Sequence, residues 1–109
     1  MPLSAYNPHA GEILKLEFLQ PLGLSQNAVA KAIRVPANRI HAIVQGKRAV
    51  TADTDLRLCR FLGLSEGYFL RLQASFDLAE ARRHLARALS SIQPFRAAPR
   101  KVAKLAVAA

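Results

Sequence analysis

Residues 24–48 read LSQNAVAKAIRVPANRIHAIVQGKR, and this stretch resolves into two short amphipathic helices with a tight connection. Ser25 opens the first, because its hydroxyl can accept from the free N–H groups of the first turn. Val29, Ala30 and Ile33 form its inner face. Pro36 disfavours helical backbone at Val35, so the helix ends before it, and Pro36 can open the next helix at its first turn. That second helix covers roughly 36–45. Ile40, Ile43 and Val44 recur at three- and four-residue spacing on its inner side, and Asn38, Arg39, His41, Ala42 and Gln45 are left to other faces. Gly46 supplies the left-handed conformation that ends a helix, and Lys47, Arg48, Ala49 and Val50 make a short basic loop.

Paired helices of this kind are the helix-turn-helix pattern. Ala30 is small where the two axes should cross, and Val29, Ile33, Ile40 and Ile43 can fill the shared core. In such a pair the second helix lies in the major groove of DNA and offers its first residues to base edges.

The flanks supply the rest of a small helical bundle. A first helix is expected over 11–19, with Ile13, Leu14, Phe18 and Leu19 on one side and Pro21 and Gly23 stopping it. Thr51 can cap a fourth helix, with Asp53 and Asp55 near its positive end, an inner stripe of Leu56, Cys59 and Leu62, and Gly63 as its stop. Ser65 is expected to cap a fifth, with Glu66 in its first turn and Phe69, Leu72 and Phe76 along one face. A further helical stretch carries Leu78, Ala81, Leu85, Leu89 and Ile92, either continuing the fifth helix or bending from it near Asp77. No strand pattern appears. The fold class expected is all-α, five to six helices, with residues 1–10 a lead-in, 11–93 the folded domain and 94–109 a basic, disordered tail.

Composition narrows the function classes. The chain has 109 residues, enough for one domain with a modest core, and a formal net charge of +9. The charge is uneven: residues 1–80 hold nine Lys/Arg against seven Asp/Glu, and residues 81–109 hold seven Lys/Arg and no acid. Such a balance points to an anionic partner such as nucleic acid or a membrane surface. The single cysteine, Cys59, rules out an intrachain disulfide and reads as a small buried hydrophobe. No signal peptide and no long apolar run is visible, so the expected location is the cytoplasm and no membrane partner is expected.

Catalytic and metal chemistry find no footing. His9, His41 and His84 lie far apart, with no Cys or His at ligand spacing. There is no Gly-rich phosphate loop. Glu12 and Glu17, five residues apart, would diverge by about 140° around an α-helix and form no carboxylate pair. Neither an enzyme, nor a cofactor, nor a metal site is expected.

The order of elements resembles the lambda-repressor-like (Xre/Cro) class over about residues 11–75. More narrowly, PHAGEILKLEFLQPLGLSQNAVAKAI (8–33), VPANRIHAIVQGKRAVTADTDLRLCRFLG (35–63) and GYFLRLQASFDL (67–78) resemble the HigA family of addiction-module antidotes. That family shares a His-Pro-Gly-Glu-Ile-Leu opening, a Gly-Leu-Ser-Gln helix start, an Ile-Val-x-Gly-Lys-Arg turn and a Thr-Ala-Asp-Thr cap. Here Ala10 stands where the family usually has Pro, and Arg34 stands where the helix turn usually has Gly. The resemblance implies an antitoxin that binds a cognate RelE-like ribonuclease toxin and represses the shared operon.

By position, Ala37, Asn38, Arg39, His41 and Ala42 are the candidate base readers: Asn for adenine, Arg for guanine, Ala for a thymine methyl. Gln26 is placed to meet a phosphate, and Lys47 and Arg48 suit backbone contacts. One helix-turn-helix covers one half-site of double-stranded operator DNA, so a homodimer is expected. The family places its dimer contacts in C-terminal helices, which makes Leu78, Leu85, Leu89 and Ile92 a dimer or partner surface; otherwise they pack on the same domain. Two other functions fit the same residues: a stand-alone Xre-type transcriptional regulator without a toxin, and a protein-interaction module that no longer reads DNA.

Overall fold

The computed structural model describes residues 7–96, which contain five helices and no strand. Helix α1 is continuous over 10–22: Ala10–Ile13 and Gln20–Leu22 are α-helical, and Leu14–Leu19 between them winds wider as π-helix. It is followed by α2 (Gln26–Ile33), α3 (Ala37–Val44), α4 (Ala52–Leu62) and the long α5 (Tyr68–Ser91). The tail expected from 94 onward lies outside the described residues beyond position 96.

Helix α1 runs further than the sequence implies, because Pro21 does not stop it. The π segment bonds Gln20 N–H to Lys15 O, five residues back. Pro21 follows at once, where its missing N–H removes one bond from a helix that ends anyway at Gly23, φ 66°. The wide winding also stacks residues five apart, so Leu14 and Leu19 are both buried in the core. Glu12 and Glu17 therefore do not follow α-helical spacing. Glu12 instead faces His9, with its Oε1 3.5 Å from Nε2. His9 is the cap of α1: its Nδ1 accepts from Gly11 N–H at 3.1 Å and Glu12 N–H at 3.2 Å. Accepting at Nδ1 requires the ring proton on Nε2, toward the Glu12 carboxylate.

The inner faces of all five helices meet in one core. Leu14, Val29, Ile40, Ile43, Leu58 and Phe69 are almost wholly shielded from water, and burial of each such side chain contributes roughly 1.5–3 kcal/mol. Thr51 caps α4 as expected, accepting from Thr54 N–H. The stripe of α4, however, is offset from the expected one: Leu58 and Cys59 are buried, Leu62 is partly buried and Leu56 is exposed. Burial raises the Cys59 thiol above its usual range, which keeps it a protonated core residue.

Asp55 explains the offset. It is buried on the inner face of α4, where its carboxylate accepts from Gly67 N–H (2.6 Å), Phe69 N–H (2.9 Å) and Leu70 N–H (3.1 Å). Asp55 thus caps α5 from a neighbouring helix. Ser65 does not: α5 begins at Tyr68 behind Gly67, with no side-chain cap of its own. From there α5 is a single helix of 24 residues with no break at Asp77. Gln73 pairs with the backbone of Val50 in both directions, at 2.6 and 2.9 Å, and so ties the loop after α3 to α5.

The turn between α2 and α3 carries the one non-glycine with positive φ among the described residues, Arg34 at φ 64°. Val35 N–H bonds Ala30 O and Arg34 N–H bonds Lys31 O, the closure in which a glycine usually holds the left-handed position. A side chain there costs about 1 kcal/mol. Arg34→Gly is therefore expected to stabilise the fold by up to about 0.6 kcal/mol, since the unfolded chain's gain in freedom, about 0.4–1 kcal/mol, offsets much of the relief. A rise of a few degrees in melting temperature would register it; an unchanged or lower value would show that the Arg34 side chain contributes more than its backbone strain costs.

Candidate nucleic-acid interface

Helices α2 and α3 cross where Ala30 is buried, as its small side chain allows, and Ile40 and Ile43 point into the core. Pro36 is the cap residue, with extended backbone at ψ 142°, and not the first helical residue; α3 starts at Ala37. The opposite side of α3 is open. Ala37, Asn38 and His41 are exposed, and Arg39 and Ala42 are partly covered.

Two of the candidate readers are held by neighbours. His41 Nε2 lies 2.9 Å from Asn27 Oδ1, which ties the second turn of α3 back to the start of α2. Arg39 leans toward α4, with its Nη1 3.8 Å from Asp53 Oδ1. Asn38 makes no such contact among the described residues. Gln26 is partly buried at the first position of α2, behind the Ser25 cap, whose Oγ accepts from Ala28 N–H at 3.0 Å.

The loop after α3 is aimed by its closure. Gly46, at φ 76°, reverses the chain, Lys47 N–H bonds Ala42 O at 2.9 Å and Gly46 N–H bonds Ile43 O at 3.0 Å. Lys47 and Arg48 leave this turn exposed. The face thus has an exposed helix start at Ala37 and Asn38, with a cationic loop at its far end.

Asn27, Asp53 and Arg57 belong to the same region and stand outside the expected contact set. Arg57 Nε donates to Asp53 Oδ1 at 2.7 Å, and its Nη1 donates to Ile33 O at 2.9 Å. The four-residue spacing of Asp53 and Arg57 on one helix is the only sequence signal for that pair. Nothing local marks Asn27 as the partner of His41.

The C-terminal candidates lie elsewhere. Leu78, Leu85, Leu89 and Ile92 are 60%, 47%, 48% and 65% exposed, so they do not pack on their own domain. No cluster of potential metal ligands occurs among the described residues. No helix among them is long and apolar enough to cross a membrane.

Comparison with known proteins agrees with this architecture. The helix-turn-helix family profile matches residues 16–69. Virulence-associated protein I of Dichelobacter nodosus is 48% identical over 73 residues, covering 67% of this chain and 68% of that protein. Antitoxin HigA-1 of Vibrio cholerae is 31% identical over 84 residues, covering 77% and 79% of the two chains. The structure of Pseudomonas aeruginosa antitoxin HigA with the higBA promoter superposes with a TM-score of 0.76 at 33% identity, over 83% of this chain and 99% of that one. With this profile, these relatives and the same five-helix fold, the chain belongs to the HigA family of Xre-type helix-turn-helix proteins.

Proposed function

We propose that this protein binds operator DNA in its own promoter as a homodimer, represses that operon and neutralises a RelE-like ribonuclease toxin encoded beside it. The observation that carries the DNA half is the open face of α3. Ala37 and Asn38 are presented to solvent, and the basic loop at Lys47 and Arg48 flanks them. Arg39 completes the reading set, with Asn27-braced His41 and Ala42 a turn later. Gln26, Lys47 and Arg48 contact phosphates. The relative solved with its promoter supports this assignment.

The dimer half rests on α5. Leu78, Leu85 and Leu89 fall at intervals of seven and four residues, which places them along one side of the helix, whereas Ile92, expected to continue that stripe, follows the last helical residue with extended backbone. A second copy is the partner that two-fold operator symmetry calls for. The toxin half rests on family membership and on the antitoxin relatives.

Footprinting on the DNA upstream of the reading frame tests the first two together. A dimer protects two half-sites about one helical turn, or a multiple of it, apart; protection of one isolated half-site would remove the dimer. In the same assay Arg39→Ala is expected to cost about 1–3 kcal/mol and to flatten preference at one base pair. Lys47→Ala is expected to weaken all sequences alike and to lower the salt slope by about one unit. Equal, sequence-independent losses from both variants would take Arg39 out of the reading set. Co-purification with the product of an adjacent small reading frame tests the toxin; without such a partner the protein is a stand-alone regulator.

A further inference from the structure

We infer that Asp53, on α4, is a positioning residue that sets the base preference of Arg39 without touching DNA. The inference rests on the proposed role of Arg39 as a base reader and deepens it.

The geometry is a shared carboxylate. Asp53 Oδ1 receives a hydrogen bond from Arg57 Nε at 2.7 Å, and the same oxygen faces Arg39 Nη1 at 3.8 Å. The first is a charge-assisted hydrogen bond and the second is too long to be one. Asp53 therefore attracts the Arg39 guanidinium by charge while Arg57 fixes the position of the carboxylate. Among the described residues no hydrogen bond uses any donor of Arg39, and its Nε is buried without a partner. Its side chain is 27% exposed, against 59% for Asp53. The terminal nitrogens are thus steered toward one place and keep their donors free.

That arrangement suits an arginine that must present a fork to a guanine edge, which needs two donors at once in fixed orientation. A free arginine on a helix would reach several acceptors, phosphates included, and discriminate less. Arg57 is what holds the carboxylate in its place beside Arg39. It is fixed in turn by its bond to Ile33 O at the end of α2. The chain from Ile33 through Arg57 and Asp53 to Arg39 therefore couples the turn of the helix pair to the reading side chain.

The sign of the effect separates this from a general charge effect. Asp53→Asn removes a negative charge near the phosphates, so binding to unrelated DNA should tighten. It also frees Arg39, so the advantage of operator over unrelated DNA should fall, by about 5- to 30-fold, the range of a 1–2 kcal/mol coupling.

The experiment measures binding of wild type, Asp53→Asn, Arg39→Ala and the double variant to operator, to unrelated duplex and to operators altered one base pair at a time. Thermal melting confirms that each is folded. The expected result is that Asp53→Asn flattens preference at the same base pair as Arg39→Ala, and that the double variant discriminates no worse than Arg39→Ala. Equal tightening on all DNA, with the preference profile unchanged, would overturn the inference and leave Asp53 a plain surface charge. If Arg39→Ala itself leaves the profile unchanged, the base-reading role fails, which is a separate outcome. Arg57→Met provides a second test: the carboxylate, no longer held in place, should be free to close on Arg39 and weaken operator binding more than binding to unrelated DNA. Equal losses on both would again overturn the inference.

Discussion

Replacing Gly11 by alanine is expected to destabilise the protein by about 3 kcal/mol or more and to weaken operator binding in the same variant. A Cβ built on Gly11 would lie 1.8 Å from the carbonyl oxygen of Ile43, 2.6 Å from its carbon and 2.9 Å from the Cα of Val44. All three atoms are backbone of α3, so no flexible side chain can yield. The start of α1 must move off the recognition helix, or the recognition helix must shift. Either movement disturbs the core at Leu14 and Ile43.

Helix propensity argues the other way. Alanine is favoured over glycine within a helix by about 1 kcal/mol, so a position with open space would gain stability. The sign of the change therefore decides whether close approach or propensity governs this site. A drop in melting temperature of more than about 10 °C is expected for a domain of this size. A Gly11→Ala variant that melts at or above wild type would contradict the close packing of α1 on α3. The operator assay should be run well below the melting point. Loss of affinity there would report a displaced recognition helix and not an unfolded one.

The helix pair is legible in the sequence because its signals are local. Ser25 before an apolar stripe, Pro36 after Val35, and Gly46 after Val44 each act within a few residues. Arg34 is flagged only by the family resemblance, which puts glycine at that point of the turn, and the structure holds it in left-handed backbone. The parts that do not read are those in which one element completes another. His9 caps α1 through a ring nitrogen, which no preference for Ser, Thr, Asp or Asn would flag. In α4, apolar residues occur at 56, 58, 59, 61 and 62, so apolar periodicity alone does not choose the inner side. The buried face includes charged Asp55, whose partners lie 12 to 15 residues further on. Asp53 and Asp55 look alike as acids in the first turn of a helix, yet one ends beside the recognition helix and the other inside the core.

The same contrast makes Asp55→Ala the second large effect. The variant leaves Gly67, Phe69 and Leu70 N–H without their acceptor at the start of α5. Hydrogen bonds to a charged group contribute about 1.5–3 kcal/mol each, but three bonds to one carboxylate are not additive. Removing the buried charge also recovers part of its desolvation cost, and water can reach the half-buried Gly67. The expected loss is about 3 kcal/mol, read as a lower denaturation midpoint in urea with little change in slope. Asp55→Asn should fall between wild type and alanine. Its one carbonyl oxygen can still accept from Phe69 and Leu70, while its amide group would face Gly67 N–H donor to donor. An exposed helix-start acid would instead lose only about 0.3–1 kcal/mol on replacement, and Asn would restore most of that at a cap position. Equal, small losses from both variants would therefore show that Asp55 acts on its own helix and not as the cap of α5. Operator binding should survive Asp55→Ala at temperatures where the variant stays folded, because its three bonds lie on α5 and not on α2 or α3. Damage to stability without damage to affinity would mark Asp55 as scaffold, whereas Gly11→Ala should impair both.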